Sequence, residues 1–220
     1  TNVELRSGGD VIFSTGSINT GGGTLLLDPG TSPAAVKPTF TGTDATASTV
    51  SFASDLAIVI NGTTPGDGSG STYTQLTVAG AVNLTGVDLI LSGSHTPIIV
   101  QTFTIVDNDG ADAVVGTFTG LTEGAYIGSF LGSGLTAQIS YLGGTGNDVV
   151  LTVVQADYTI TTTGNAIVIT DVSGNGDVLN VSESGSDIRF EVTPNTRSYS
   201  IDGGPITTFT TPADVALAGA

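Results

Sequence analysis

Apolar residues alternate with small or polar residues along much of the chain, most clearly between Tyr73 and Val154. The members of this pattern are Val87, Leu89 and Leu91 in one run and Leu135, Ala137, Ile139 and Tyr141 in another. A two-residue period is typical of β-strands with one buried face. Clusters of Gly, Asn, Asp and Ser separate the runs, and these residues suit tight turns. We therefore predict a stack of short strands joined by compact turns.

The first 55 residues carry a weaker form of this pattern. Their apolar runs are Val3–Leu5, Val11–Phe13 and Leu25–Leu27. Runs this short suit a sandwich, a barrel or the successive coils of a solenoid. Within residues 31–55, Pro33 and Pro38 cannot donate to a ladder, so we predict an irregular excursion or an edge segment there.

A break in the apolar pattern at Gln155–Asp157 marks a predicted domain boundary. It gives a solenoid-like segment at 1–154 and a second β-rich unit at 155–220. Alternation resumes after the break, with turn clusters roughly every ten residues, which favours further strands. The last residues are predicted to begin a helix at Pro212, because proline suits the first helical position. The pattern stops soon after, as in a truncated unit.

Composition and charge narrow the function classes. A hydrophobic content of 39% excludes the composition of a disordered tail. The formal net charge is −16, with twenty acids against Arg6, Lys37, Arg189 and Arg197. Such a chain repels nucleic acids and anionic membranes, whose affinity depends on Lys and Arg. Clustered Asp and Asn oxygens instead favour divalent cations, above all calcium.

The chain contains no Cys, Met or Trp, and the first two absences narrow the class of protein further. Without Cys the chain has no disulfide or thiolate site, which fits a secreted or cell-surface bacterial protein. Without Met, even at position 1, we expect a processed product or a piece of a longer polypeptide. No apolar run approaches the roughly 20 residues of a spanning helix, so membrane insertion is not expected.

Several phrases, in a specific order, resemble a recurrent segment of bacterial surface proteins. They are Tyr73–Val78, Gly80–Leu84, Thr102–Gly110, Val115–Phe118, Ile139–Tyr141 and Gly143–Leu151, with Ser17–Leu25 and Asp177–Val181 as related coils. The segment is similar to the passenger regions of autotransporters, filamentous-haemagglutinin-like adhesins and long repeat proteins of planctomycetes and cyanobacteria. The resemblance implies a right-handed parallel β-helix, or β-solenoid, on an exported polypeptide. No fixed period runs from end to end, so a β-sandwich is the alternative.

Residues Gly143–Leu151 fit one copy of the G-G-x-G-x-D-x-U-x nonapeptide that binds calcium in parallel β-rolls. In a roll each ion lies between successive turns, so one copy supplies only part of a shell for an ion that takes 6 to 8 oxygens. We favour a structural turn in which Asp148 caps backbone donors.

A second oxygen-rich stretch runs over residues 107–112. It resembles the start of an EF-hand loop, but the later bidentate Glu and the flanking helices are missing, so the EF-hand interpretation is rejected. A surface cation site and a plain Asx turn remain as alternatives. The candidate calcium ligands are Asp107, Asp109, Asp112, Asn147 and Asp148, and a weaker cluster comprises Asp171, Asn175 and Asp177.

Catalytic chemistry has little support in the sequence. His95 is the only imidazole and lies in a turn beside Ser94, where a solvated loop residue is expected rather than a general base. No nucleophile-elbow pattern is present. A β-helical polysaccharide-degrading enzyme would need two facing carboxylates, and no motif indicates such a pair. We therefore predict that the chain is not an enzyme.

These patterns predict a structural component of a bacterial cell surface or extracellular fibre, such as an adhesin-like stalk or a self-assembling subunit. Its partners would be further copies, neighbouring surface proteins or glycans. The first alternative is a calcium-dependent carbohydrate-binding module, and the second, less favoured, is a β-helical polysaccharide-degrading enzyme.

Overall fold

The computed structural model describes residues 1–109, 111–164, 166–174, 178–185, 187–193, 196–210 and 212–216. These residues form β-strands and one short 3-10 turn, with no α-helix among them, which confirms the all-β class. The chain divides into two compact units. The first comprises Thr1–Ala125 and Gln138–Thr152, and the second comprises Tyr126–Ala137 and Val153–Ala220.

The first unit contains strands of two to eight residues. They are β1 (Val3–Arg6), β2 (Val11–Phe13), β3 (Ile18–Asn19), β4 (Thr24–Asp28), β5 (Ala35–Pro38), β6 (Ala45–Phe52), β7 (Asp55–Val59), β8 (Thr64–Gly66), β9 (Thr72–Thr74), β10 (Leu76–Asn83), β11 (Leu89–Ser92), β12 (Thr102–Asn108) and β13 (Val114–Val115). The chain then forms β14 (Tyr126–Ile127) and the 3-10 turn Phe130–Gly132, which belong to the second unit. The next two strands are β15 (Thr136–Gly143) and β16 (Asp148–Val154). β15 and β16 continue across the division between the units.

Parallel pairing organises two sheets of the first unit. One sheet runs in the order β1-β4-β6-β10-β12, and the other in the order β11-β7-β5-β2. Leu25 pairs with Val3 on one side and with Val50 on the other, and Val50 pairs in turn with Val82. Leu25, Val50 and Val82 are fully buried. Aligned apolar positions therefore form the core, although the spacing between partners differs from strand to strand.

Strand β10 bends at Gly80, where it pairs with β6. The register shifts between Ala79 and Ala81, and Gly80 has a φ of 124°. A Cβ atom at this position would lie 1.7 Å from the carbonyl oxygen of Ala47. Only glycine accommodates both the backbone conformation and the close approach of the neighbouring strand.

The parallel order of the first sheet ends at β12. Its next partner, β16, is antiparallel, with Phe103 opposite Leu151. The turn between β15 and β16 closes with a hydrogen bond from the Gly146 N–H to the Gly143 carbonyl oxygen at 2.7 Å. This reversal brings the start of β16 beside the end of β12.

The second unit also contains β17 (Tyr158–Thr163), β18 (Ala166–Asp171), β19 (Val178–Ser184), β20 (Asp187–Thr193), β21 (Thr196–Ile201), β22 (Thr207–Thr210) and β23 (Ala213–Val215). β17–β18 and β19–β20 are antiparallel hairpins, whereas β17 and β21 pair in parallel. Its buried core consists of Tyr158, Ile160, Phe190, Val192, Phe209 and Val215. Aromatic rings therefore contribute half of this core.

Two local predictions are wrong. Residues 31–55 are not an irregular or edge segment, because β5 and β6 lie there and β6 is flanked by β4 and β10 within its sheet. Pro38 is accommodated at the last position of β5, where the ladder continues through the N–H of Thr39. Pro212 begins no helix within residues 212–216, because β23 follows it and pairs with β20.

Candidate cation cluster and neighbouring cleft

The two oxygen-rich stretches of the sequence meet where β12 ends and β16 begins. Asp107 and Asn108 close β12, and Asp148 opens β16. The Asn108 N–H donates to Oδ1 of Asp148 at 2.9 Å. Nδ2 of Asn147 donates to the carbonyl oxygen of Asp112 at 2.8 Å. The fold thus joins residues that lie about forty positions apart in the chain.

The two asparagines hold the backbone of the loop after β12. Asn108 is buried, and its Nδ2 also donates to the Asp112 carbonyl oxygen at 2.8 Å. Oδ1 of Asn147 accepts a hydrogen bond from Oγ1 of Thr145 at 2.6 Å. Oδ1 of Asn108 is buried without a hydrogen-bond partner among the described residues. Both amides therefore fix the Asp112 carbonyl oxygen.

The side chain of Asp148 lies against the turn that connects β15 and β16. Its side chain is buried, and besides the bond from Asn108 it lies close to Gly144. A Cβ atom at Gly144 would come within 1.8 Å of Oδ2 of Asp148. This carboxylate accepts a hydrogen bond from a backbone N–H of β12, so it joins the turn to the end of that strand.

The other three carboxylates of the cluster differ in exposure. Asp107 is half-buried, and burial raises its pKa, as do the negative charges of Asp148 and Asp109. Asp109 is exposed, and its Oδ1 accepts a hydrogen bond from the Gly80 N–H at 3.2 Å. Asp109 and Asp112 line one groove of about 310 Å³, whereas Asp107 lines a different cleft. Asp107 is thus close enough to Asp109 and Asp148 to be repelled by them, but it faces a different space from Asp109 and Asp112.

Within the described ranges, no group of three or more His, Asp or Glu side chains is arranged to hold a metal ion. The calcium assignment of Asp107, Asp109, Asp112, Asn147 and Asp148 stays a prediction. In the weaker cluster, Oδ1 of Asp171 accepts hydrogen bonds from the N–H and the hydroxyl of Ser173 at 2.9 and 2.7 Å. Asn175 and Asp177 lie outside the described residues.

The cleft that Asp107 lines has a volume of about 350 Å³. Its walls come from the loop after β5, from β8 and from the outer faces of β10 and β12. Phe40, Thr43, Gln75 and Thr77 contribute to the lining. Sequence analysis missed these residues, because they come from two separate parts of the chain and none belongs to a recognisable motif.

Asp44 is a second feature that the sequence pattern did not reveal. Its side chain is fully buried, and Oδ2 accepts a hydrogen bond from the Thr77 N–H at 2.9 Å. Its Oδ1 has no hydrogen-bond partner within the described part of the chain. Burial raises the pKa of Asp44 to about 7, against the opposing effect of the hydrogen bond from Thr77. In the sequence, the only sign of this buried carboxylate is a single acid at the end of the Thr-rich run before β6.

His95 makes contacts of a structural kind. Its Nε2 lies 3.0 Å from Oε1 of Gln101, and its ring packs edge-to-face against Phe103 with centroids 5.7 Å apart. The hydroxyl of Ser94 donates to Oδ1 of Asn61 at 3.0 Å. These partners orient both side chains within the turn.

Comparison with protein-family models, with curated proteins and with solved structures found no match. A search of the described residues for a helix long and apolar enough to cross a membrane also found none.

Proposed function

We propose that this chain is a structural segment of a secreted or cell-surface bacterial protein, in which the first unit forms the coils of a right-handed parallel β-solenoid. The function is mechanical, as a spacer, an adhesin-like stalk or a subunit of an extracellular fibre or layer. The observation that carries the proposal is the in-register parallel stacking of β1, β4, β6 and β10.

The second parallel sheet supports the same architecture. Val36 of β5 pairs with Val11 of β2 on one side and with Leu56 of β7 on the other, and Leu56 pairs with Leu89 of β11. Apart from β3, β8 and β9, the chain alternates between the two sheets from β1 to β12, as successive coils of a solenoid do. Parallel crossovers are almost always right-handed, which gives the proposed hand.

Stacked coils suit a mechanical role. Each coil contacts its neighbours along the stack, so stability is roughly the sum of neighbouring interfaces and the length can vary. The end strands of such a stack carry unpaired ladder groups that can pair with another chain. Association with further copies or neighbouring surface proteins follows from that property.

Negative-stain electron microscopy of the purified chain tests this proposal, with calcium added and with a chelator. Regular filaments or lattices, or elongated particles of uniform width, are the expected result. Compact round particles under every condition would contradict it. A calcium requirement for regular assembly would assign the cluster of Asp107, Asp109, Asp112, Asn147 and Asp148 to the joints.

A calcium-dependent carbohydrate-binding module is the second candidate function. It is supported by the exposed carboxylates of Asp109 and Asp112, which border one groove and could share an ion with sugar hydroxyls. Retention on immobilised glycans that requires calcium is the expected result. Equal retention, or none, with and without the ion would exclude it.

A further inference from the structure

The cleft beside Asp107 is large enough for a small ligand. Its volume of about 350 Å³ falls within the range of pockets that hold small molecules. The loop that carries Phe40 and Thr43 borders it on one side, and β8 borders it on another. The strand faces that carry Thr77 and Asp107 also contribute. Space of this size accommodates about one or two sugar rings.

Phe40 provides a fixed aromatic surface in the cleft. A Cβ atom at Gly42 would lie only 2.6 Å from Cε1 of Phe40, so the ring packs closely over the backbone of that glycine. The ring is half-buried and lines the cleft. An aromatic ring held in this way suits the flat, apolar C–H face of a pyranose.

The polar side chains of the cleft can all accept hydrogen bonds, and the hydroxyls of Thr41, Thr43 and Thr77 can also donate them. Nε2 of Gln75 donates to the Thr104 carbonyl oxygen at 2.8 Å, which fixes the amide and leaves Oε1 as the group it offers a ligand. The Asp107 carboxylate is a second acceptor. Such a lining selects a ligand rich in hydroxyl groups.

The charge distribution excludes anionic ligands. Among the described residues, no Lys or Arg lines the cleft. Arg6 and Lys37 instead pair with Asp28 at 2.9 Å and with Asp10 at 2.6 Å. The negative charges of Asp148 and Asp109 that act on Asp107 would also repel a phosphate, a sulfate or a uronic acid. A neutral ligand meets no such barrier.

We propose that this cleft binds a neutral oligosaccharide, with a sugar ring stacked on Phe40 and sugar hydroxyls bonded to Asp107 and Gln75, and that it does so without calcium. The inference goes beyond the structural role and does not rest on it. A single particle can bind a glycan whether or not the chain assembles.

Isothermal titration of the full chain in EDTA tests the proposal. The probes are neutral gluco-, manno- and xylo-hexaoses and an oligogalacturonate of the same length. Binding of at least one neutral hexaose and none of the oligogalacturonate is the expected result. Absence of binding by every neutral probe would overturn the proposal, as would binding that appears only when calcium is restored.

Variants locate the site. Phe40→Ala and the more conservative Phe40→Leu should each weaken binding at least about tenfold, because both remove the stacking surface. Asp107→Asn should weaken it by a smaller factor. Tyr126→Ala and Asp88→Asn, which change an aromatic and an acid outside the cleft, are the matched controls. Equal affinity of the Phe40 variants and wild type, with unchanged melting temperatures, would show that the sugar binds elsewhere.

Discussion

Asp44 has the most perturbed environment of the carboxylates described above. Its pKa is raised by burial to about 7 in the folded protein, from 3.8 for a solvated Asp. Between these two pH values the folded state holds a proton that the unfolded state has released. The contribution of Asp44 to the free energy of unfolding therefore falls as pH rises from about 4 to about 7 and stays low above that range. The stabilisation from protonated Asp44 is fully present only below the unfolded pKa.

Replacing Asp44 with Asn removes this dependence. The amide is neutral at every pH and can still accept the hydrogen bond from the Thr77 N–H. We expect Asp44→Asn to match wild type near pH 3.5 and to be more stable at pH 8, by about 1–3 kcal/mol. Melting curves from pH 3.5 to 8 measure this.

Other carboxylates also titrate over this range, so the informative quantity is the difference between variant and wild type. The exposed Asp88 provides the control, because Asp88→Asn changes the net charge equally without relieving a buried charge. A difference for Asp44→Asn that stays constant with pH would contradict the assignment.

At the scale of elements, the bend in β10 depends on one residue. Gly80 has a positive φ and lies directly against the carbonyl group of Ala47 in β6. The parallel pairing of β6 and β10 continues on both sides of this point with a shift in register. The strand therefore turns at Gly80 without losing its partner.

Gly80→Ala should disrupt this pairing. The new methyl group would have to displace the backbone of β6, so we expect a loss of at least about 3 kcal/mol in the free energy of unfolding. Urea denaturation measures it. Gly86→Ala is the control, because Gly86 also has a positive φ of 76° but has open space around its Cβ position.

The control variant should lose only about 1 kcal/mol, the cost of the backbone conformation alone. Equal losses for the two variants would mean that strand contact at Gly80 contributes nothing beyond local strain.

At the scale of the whole molecule, charge imbalance opposes folding. Twenty acids face four Lys and Arg residues, and the net charge is −16. The ion pairs Arg6–Asp28, Lys37–Asp10 and Arg189–Asp214 involve three of the four cations. Most carboxylates consequently have no cation to offset their mutual repulsion, which is greater in the compact state than in the unfolded chain.

Salt should therefore stabilise the protein. Screening at 0.5 M NaCl shortens the Debye length well below the spacing of most surface charges, and we expect the melting temperature to rise by about 2–4 °C relative to 10 mM NaCl. Differential scanning calorimetry at pH 7.5 measures the change. KCl should act equally, and a fall in melting temperature with either salt would indicate that the ion pairs outweigh the repulsion.

Strand positions with clear alternation were predictable. Ala137, Ile139 and Tyr141 are buried in β15, as their two-residue period predicts. The prediction for residues 31–55 is wrong because strands rich in Thr, Ser and Ala, such as β6, carry little hydrophobic signal and are fixed by their neighbours. β6 is stable between β4 and β10 for reasons that lie outside its own sequence.

The candidate sites also have parts that the sequence shows and parts that only the fold creates. The acids of 107–112 and the turn at 143–148 are visible in the sequence as separate clusters, but only the fold brings Asn108 into contact with Asp148. The cleft lined by Phe40, Gln75 and Asp107 combines three distant segments and has no local signature.

The sequence by itself determined the all-β class, the turns and the acidic character, because these depend on the conformational preferences and charges of neighbouring residues. The tertiary structure decided which strands pair in parallel, which acids meet and which carboxylate is buried. These outcomes depend on register between strands 20 or more positions apart, as in the pairing of Val3 with Leu25 and of Leu25 with Val50. Connections of different lengths separate such partners, and only the burial of both strands on a common core selects one register.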